Sequence, residues 1–273
     1  MRAWVNGEML TDPVAPVLTV FDHGFTVGDG VFETVKVSGG RPFALTRHLR
    51  RLRRSADGLG LVTPDDGDLR GAVEAVLRGQ DLPLGRVRIT VTGGPSPLGS
   101  SRGAEAPTVA VVAGPMDPWP PTTAVTTVPW PRNERGAVAG LKTTSYAENV
   151  VALAYASERG GSEAVFANTA GRLCEGTGSN VFYVVDGQVR TPSLGSGCLA
   201  GITRELVLEW YGGTECEEPV EVLGEADEIF LASTTRDVQP VHRCDGRELA
   251  APGPVTRDVV ATWDKYAGTD LDP

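Results

Sequence analysis

Apolar side chains recur along the chain with two different periods, and each period predicts a different backbone. In the segment 31–37, VFETVKV, successive residues alternate between two faces, which predicts a β-strand. In the segment 45–59, apolar residues recur three or four positions apart, which predicts an amphipathic helix. The apolar stripe of that helix consists of Leu45, Leu49, Leu52, Ala56 and Leu59.

The same criteria predict further elements in both halves of the chain. Helices are predicted at 68–77, 147–158, 203–210 and 255–266. Strands are predicted at 17–20, 86–92, 108–112, 123–128, 163–166, 180–185, 188–190 and 228–232. Because strands outnumber helices and do not alternate regularly with them, the sequence favours an α+β fold over a doubly wound parallel sheet.

A proline-rich segment interrupts these patterns. Four of the eight residues in GPMDPWPP, 114–121, are proline, which excludes regular helix and central strand there. We therefore predict a smaller N-terminal α+β domain over 1–113, a linker over 114–122, and a larger C-terminal α+β domain over 123–273. The larger domain is expected to contain Lys142.

Net charge and cysteine spacing narrow the classes of partner. The chain has 273 residues and a formal net charge of −10, which disfavours nonspecific binding to nucleic acid and to anionic membranes. The N-terminus lacks the apolar core of a signal peptide, and no apolar run reaches the roughly 20 residues that span a bilayer. The four cysteines form no CxxC pair, so no metal site is predicted. We expect a cytoplasmic protein with free thiols.

Lys142 lies among small and hydroxyl-bearing residues in the segment GLKTTSY, 140–146. Local composition of this kind is typical of a surface lysine. In a dry pocket, however, the pKa of a lysine falls, and its neutral amine attacks aldehydes. The segment alone therefore permits both a structural and a catalytic interpretation.

Other segments carry groups that bind ions. Glu175 lies in a run of small residues ahead of an apolar strand, EGTGSNVF. The helix predicted near 203 begins at 201–203, where backbone N–H groups and the helix dipole favour an anion. Hydroxyl residues follow an apolar strand at 233–235, and five arginines lie within 47–54. Each feature alone is also typical of an ordinary turn, helix start or solvated face.

Taken together and in order, six segments resemble the blocks of the class IV, or fold type IV, pyridoxal-phosphate aminotransferases. The segments are FDHGFTVGDGVFETVKV, HLRRL, GLKTTSYAENVVAL, EGTGSNVF, GCLAGITR and STTRDVQPV. The family includes branched-chain and D-amino-acid aminotransferases, (R)-amine transaminases and 4-amino-4-deoxychorismate lyase. The resemblance, from about Trp4 to Val241, implies a two-domain α+β fold, pyridoxal 5'-phosphate at the domain interface, and a homodimer.

The resemblance also implies roles for individual residues. Lys142 is implied to hold the cofactor as a Schiff base and to move the proton between substrate and cofactor. Glu175 matches the carboxylate that pairs with the pyridine nitrogen, and Arg51 matches the phosphate-binding arginine of the HxxRL block. Tyr146 is implied to contact the phenolic oxygen. The remaining phosphate ligands are implied to be Ile202, Thr203, Ser233 and Thr234.

Three activities are compatible with these blocks. The leading expectation is a transaminase that moves an amino group between a D-amino acid or (R)-amine and an α-keto acid through the Lys142 Schiff base. The first alternative is 4-amino-4-deoxychorismate lyase, which yields 4-aminobenzoate and pyruvate. The second is a branched-chain L-amino-acid aminotransferase.

The choice between these activities depends on the substrate residues. D-amino-acid transaminases usually carry a tyrosine where this chain has Phe32, and an arginine–histidine pair in the loop that here reads GGPSPLGSSR, 93–102. That pair is missing. The candidate substrate contacts are therefore Phe32, Arg88 and Thr235, with Arg102 and Arg236 as looser candidates for the substrate carboxylate.

Overall fold

The computed structural model describes residues 1–273, which form two compact units. The first unit comprises Met1–Pro118, Leu141–Tyr146 and Leu271–Pro273, and the second comprises Trp119–Gly140 and Ala147–Asp270. The boundary after Pro118 lies within the proline-rich segment. The division differs from the expected domains because the segment with Lys142 belongs to the first unit, not to the C-terminal one.

The first unit contains six strands and three helices. They are β1 (Arg2–Val5), β2 (Glu8–Met9), α1 (His23–Thr26), β3 (Gly30–Ser38), β4 (Arg41–Pro42), α2 (Leu45–Leu59), α3 (Asp66–Leu77), β5 (Leu84–Thr92) and β6 (Thr108–Pro115). β6 continues three residues beyond the predicted strand because Gly114 and Pro115 pair with the beginning of β5.

The sheet of the first unit is antiparallel, in the order β2-β1-β6-β5-β3-β4. Helix α2 packs against β3, and α3 packs against β1 and β6. The predicted alternation and the predicted stripe are both confirmed, since the core contains Val31, Val35, Val37, Leu45, Leu49, Leu52 and Ala56. This core fixes which face of β3 meets α2.

Helix α2 lies between two residues with left-handed backbone, and a side chain distant in sequence caps its first turn. Ala44 precedes it with a φ of 53° and gives no side-chain cap. Instead, Asp272 accepts hydrogen bonds from the backbone N–H and the hydroxyl of Thr46, at 2.8 and 2.5 Å. Gly60, with a φ of 67°, ends the helix.

The second unit contains nine strands and four α-helices. They are β7 (Thr123–Thr127), α4 (Ala147–Glu158), β8 (Glu163–Ala167), β9 (Leu173–Gly176), β10 (Asn180–Val185), β11 (Gln188–Pro192), α5 (Ile202–Trp210), β12 (Thr214–Cys216), α6 (Val222–Glu225), β13 (Glu228–Ser233), β14 (Asp237–Cys244), β15 (Arg247–Glu248) and α7 (Pro254–Ala267). A 3-10 turn lies at Leu194–Ser196.

The nine strands form one mixed sheet in the order β12-β11-β10-β13-β14-β7-β8-β9, with β15 beside β14. β7 is parallel to both of its neighbours, and β11 is parallel to β12. Helix α4 packs on β7 and β8, and α5 and α7 pack on β13. Both units combine helices with sheets, which confirms the α+β prediction.

One strand prediction was wrong, and several strands, β14 among them, were not predicted. Residues 17–20 pair with no strand, and Val17, Leu18 and Val20 are exposed. β14 was not predicted, since Pro240 and its polar neighbours break the apolar alternation.

None of the helices combines the length and apolar character needed to cross a membrane. All four cysteines are free thiols.

Candidate active site

The segment that carries Lys142 lies along the beginning of β3. Phe32 N–H donates to the Lys142 carbonyl at 3.1 Å, and Thr144 N–H donates to the Gly30 carbonyl at 2.8 Å. Lys142 N–H donates to the hydroxyl of Ser55 on α2 at 3.1 Å. A Cβ on Gly30 would come within 2.9 Å of Thr144 Oγ1, so this close approach requires glycine. These bonds are the physical reason why the lysine segment belongs to the first unit.

The Lys142 amine lies beside two aromatic rings. Its Nζ is 4.3 Å from the ring centroid of Phe32 and 5.9 Å from that of Tyr146. The two rings meet edge to face with their centroids 5.1 Å apart. The guanidinium carbon of Arg88 lies 3.6 Å from the Phe32 centroid. Four of the residues chosen from the sequence are thus neighbours within the first unit.

Arg51 pairs with the buried Glu33, which in turn contacts the buried His48, and neither Glu33 nor His48 was assigned a role from the sequence. Arg51 Nε and Nη2 donate to the two carboxylate oxygens of Glu33, each at 2.7 Å. His48 Nδ1 lies 2.7 Å from Glu33 Oε2. Burial alone would raise the pKa of the Glu33 carboxyl, but Arg51 and His48 lower it to about 2. Burial lowers the pKa of His48, although Glu33 acts in the opposite direction.

These pKa shifts predict a loss of stability in acid. Because burial lowers the pKa of His48, the folded chain takes up this proton at a lower pH than the unfolded chain, so the free energy of unfolding falls as the pH falls through the ordinary histidine range. Glu33 adds a second loss between its ordinary pKa of 4.5 and its folded-state pKa of about 2. Urea unfolding at about pH 7 and about pH 5.5 should show a flatter pH dependence in His48→Asn.

The neighbouring core residue Leu49 supplies the control for this experiment. Leu49 is buried on the same helix and does not titrate. Leu49→Ala should therefore lower the stability by the same amount at both pH values. An unchanged pH dependence in His48→Asn would show that His48 is not the group that takes up the proton.

The two looser arginine candidates are engaged by carboxylates. Arg102 donates from Nε and Nη2 to Asp29 at 2.7 and 2.6 Å. In the second unit, Arg236 Nη2 lies 3.1 Å from Glu163 Oε2, and Nη1 donates to Gln239 at 2.5 Å. Both guanidinium groups are therefore already paired within the protein, and Arg88 stays the first prediction for a substrate carboxylate.

In the second unit, Glu175 is oriented by a backbone donor and a cation. Its Oε2 accepts from the Leu199 N–H at 2.9 Å, and its Oε1 lies 3.5 Å from Arg132 Nε. Arg132 stacks on the Phe166 ring at 4.1 Å and donates to Asn149 at 2.9 Å. Arg132 was missed from the sequence because it lies in an irregular segment with no motif around it.

The start of α5 is built next to Asn180. Asn180 Nδ2 donates to the Leu199 carbonyl at 2.9 Å, and a Cβ on Gly201 would come within 1.9 Å of Asn180 Oδ1. Gly201 is the N-cap of α5, and no side chain caps this end of the helix. The backbone N–H groups of Ile202 and Thr203 therefore lie at a helix start that suits an anion.

The hydroxyl residues after β13 lie on a tight turn. β13 ends at Ser233, residues 234–236 form the turn, and β14 begins at Asp237 with a φ of 56°. Asn180 pairs with Ala232 across the β10–β13 ladder, which brings this turn to the same end of the sheet as the start of α5. The side chains of Ser233, Thr234 and Thr235 are half-buried.

Comparison with known proteins places these features in one family. The family model for amino-transferase class IV matches residues 30–244. A Methanocaldococcus jannaschii protein, named provisionally as a branched-chain-amino-acid aminotransferase, is 34% identical over 91% of this chain and 90% of its own length. The D-alanine aminotransferase of Staphylococcus haemolyticus is 29% identical over 97% of both chains.

Solved structures give the same result. A branched-chain aminotransferase from Thermoproteus uzoniensis, solved with norvaline, has a TM-score of 0.90 at 29% identity and covers 97% of this chain and 94% of its own. A hypothetical aminotransferase from Mycobacterium tuberculosis in its PLP-bound form has a TM-score of 0.83 at 28% identity, and covers 97% of this chain and 100% of its own.

The donor groups in each unit fit pyridoxal 5'-phosphate, the cofactor of class IV aminotransferases. The oriented carboxylate of Glu175 is the partner that a protonated pyridine nitrogen requires. The start of α5 and the hydroxyls at 233–235 are donors suited to a phosphate. In the first unit, the side chain of Lys142 ends in a primary amine, the type of group that forms a Schiff base with an aldehyde.

Proposed function

This chain belongs to the class IV aminotransferases, and from that premise we propose that it moves an amino group from a D-amino acid to an α-keto acid. The observation that supports an amino acid is Arg88, whose guanidinium shares the Phe32 ring with the Lys142 amine. A substrate carboxylate would neutralise that cation, whereas an (R)-amine has no group to pair with it. The D configuration is supported by the likeness to D-alanine aminotransferases over nearly the whole chain.

The side chains have separate tasks in this reaction. When bound, the cofactor supplies an electron sink for the charge left when the substrate carbon loses its proton. Lys142 would hold the cofactor through its Nζ, and the same amine would take the proton from the substrate carbon. Glu175 would keep a proton on the pyridine nitrogen. Tyr146 would contact the phenolic oxygen, and the phosphate would be bound by Arg51, Ile202, Thr203, Ser233 and Thr234.

Arg88→Gln should weaken the binding of amino-acid donors selectively. A hydrogen bond to a charged group contributes about 1.5–3 kcal/mol, so the KM for D-alanine should rise about 10- to 100-fold with little change in kcat. The KM for an (R)-amine should not change. Arg86→Gln, two residues earlier on the same face of β5, removes an equal charge and is the matched control. Equal effects on both donors would place the carboxylate elsewhere.

Half-reactions with a single donor separate the candidate substrates. D-alanine alone should bleach the visible absorption of the holoenzyme, and L-leucine alone should not. If no amino donor bleaches it while 4-amino-4-deoxychorismate yields 4-aminobenzoate, the lyase activity replaces the transaminase activity.

Branched-chain L-amino acids are the second candidate substrates. The likeness to the Methanocaldococcus jannaschii protein and the TM-score of 0.90 to the Thermoproteus uzoniensis enzyme favour this possibility. Phe32, which stands where D-amino-acid transaminases usually carry tyrosine, is also compatible with it. Bleaching by L-leucine and not by D-alanine would establish this activity instead.

We further propose that the chain is a homodimer. Seven exposed apolar side chains fall within residues 14–27, and they are Val14, Val17, Leu18, Val20, Phe21, Phe25 and Val27. Helix α4 is also apolar on its outer side, where Val150 and Val151 are exposed. Apolar surface of this extent is typical of contacts between proteins. Sedimentation measurements that give only the monomer mass would contradict the proposal.

A further inference from the structure

A fully enclosed ionic cluster lies in the apolar core of the first unit. Strand alternation places Glu33 on the same face of β3 as Val31 and Val35, and all three side chains are 0% exposed. Helical spacing of three places His48 and Arg51 on one face of α2. The sheet and the helix therefore close on a carboxylate, an imidazole and a guanidinium.

The contacts within this cluster define the direction of the Arg51 side chain. Glu33 takes the Nε–Nη2 edge of the guanidinium in a two-pronged pair, with both distances at 2.7 Å. His48 holds one of the same carboxylate oxygens at 2.7 Å. Because the carboxylate contacts both His48 and Arg51, which lie on one face of α2, its position relative to the helix is fixed, and the paired guanidinium is held in one orientation.

Stability alone does not explain why such a cluster lies in an apolar core. The free energy lost by removing two charges from water can equal the electrostatic attraction between them. Apolar residues of similar volume therefore often stabilise a protein as well or better. The surrounding positions are valine, leucine and alanine, which fill this core without charge. A function that depends on the direction of the guanidinium does account for the cluster.

We propose that Glu33 is a positioning residue for Arg51, and that it holds the guanidinium in the orientation in which Arg51 would bind the phosphate group of pyridoxal 5'-phosphate. This inference rests on the proposed role of Arg51 as a phosphate ligand. Holding the arginine in one orientation before binding removes the entropy cost of ordering a flexible side chain. His48 supports the same carboxylate from the next turn of the helix.

The test compares two aldehydes that differ only in the phosphate. Full-length apoprotein is titrated with pyridoxal 5'-phosphate and with pyridoxal, and binding is followed by visible absorption. In Glu33→Gln, the affinity for pyridoxal 5'-phosphate should fall roughly 30-fold. This factor corresponds to the entropy lost when one flexible arginine side chain becomes ordered on binding. The affinity for pyridoxal should change by less than about twofold, since it has no phosphate for Arg51 to bind.

The control is Val35→Ala, on the same face of the same strand and equally buried. It removes core packing without touching Arg51, so the ratio of the two affinities should stay at the wild-type value. If Glu33→Gln does not fold, Glu33→Asp keeps the charge but draws the carboxylate back by one methylene. That variant should also lose affinity for the phosphorylated aldehyde selectively.

The possible results separate this inference from the proposed function. A wild-type chain that binds neither aldehyde would overturn the proposed function. A wild-type chain that binds both, with Glu33 variants that lose both affinities equally or lose neither, would overturn the role of Glu33 and leave the proposed function standing.

Discussion

Lys142→Ala is expected to abolish transamination and to remove the visible absorption of the holoenzyme. The amine is the proposed covalent attachment point and the proton carrier at the substrate carbon, so two steps lose their reacting group together. Positioned acid–base catalysis alone contributes roughly 10²–10⁴-fold, and we expect kcat to fall by at least about 10³-fold. Steady-state rates and absorption spectra of the purified variant measure both effects.

The other lysines provide the controls for this prediction. Lys36, Lys142 and Lys265 are the lysines of the chain, and Lys265 lies exposed on α7. Lys265→Ala should keep the wild-type rate and spectrum. A Lys142→Ala protein that stays coloured and active would show that another amine carries the cofactor.

Glu175→Gln should slow the chemistry much more than it weakens cofactor binding. The amide can still accept the Leu199 hydrogen bond, so the loop geometry is retained. A neutral amide, however, does not hold a proton on the pyridine nitrogen, and the electron sink is weakened. We expect kcat to fall about 10²–10³-fold, as for other preorganised electrostatic groups. Cofactor affinity should change less than about tenfold, the effect of roughly one hydrogen bond.

The matched variant is Glu158→Gln, which makes the same substitution at the exposed end of α4. It should leave both kcat and cofactor affinity unchanged. If Glu175→Gln turned over at the wild-type rate, Glu175 would not be the partner of the pyridine nitrogen. If it lost the cofactor altogether, its contribution would be to binding and not to the reaction.

The beginning of β3 organises the candidate site in the first unit. Phe32 and Glu33 are neighbours in sequence, and strand alternation sends their side chains to opposite faces. Phe32 meets the Lys142 amine and Arg88 on one face, whereas Glu33 meets Arg51 on the other. Two adjacent residues thus connect the reactive amine with the proposed phosphate ligand.

The fold could be predicted where burial follows a simple period. The stripe of α2 agrees with the sequence because its apolar positions meet one continuous core. The bounds of α4 at 147–158 also agree with the sequence, although only Ala152 and Ala156 of this helix are buried. The apolar run 17–20 misled the prediction, since short apolar segments do not by themselves provide a partner strand. β14 was missed because Pro240 and the polar residues around it break the apolar alternation.

The site residues came from ordered motifs, and the structure shows why local composition was insufficient. Lys142 is surrounded by hydroxyl residues in sequence, but its amine lies beside Phe32 and Tyr146, and Phe32 is more than 100 residues away along the chain. The hydroxyl groups of its neighbours instead donate hydrogen bonds to backbone carbonyl groups, as Thr144 Oγ1 does to the Gly28 carbonyl. No local pattern reports a contact between segments so far apart.

Glu33 and His48 did leave a signal that was not used. Glu33 is a carboxylate on the apolar face of a predicted strand, and His48 and Arg51 lie three apart on the following helix. A charge on a core face requires an opposite charge nearby, and these residues were the nearest candidates. Arg132 had no comparable signal, since it contacts Glu175 from an irregular segment.

Covalent trapping of the cofactor tests the central claim most directly. The coloured holoenzyme is reduced with sodium borohydride, digested, and analysed by peptide mass spectrometry. We expect pyridoxal 5'-phosphate to be attached after reduction to Lys142 alone, in the peptide that contains GLKTTSY. Attachment to Lys36 or Lys265, or a coloured protein in which no lysine is labelled, would contradict it.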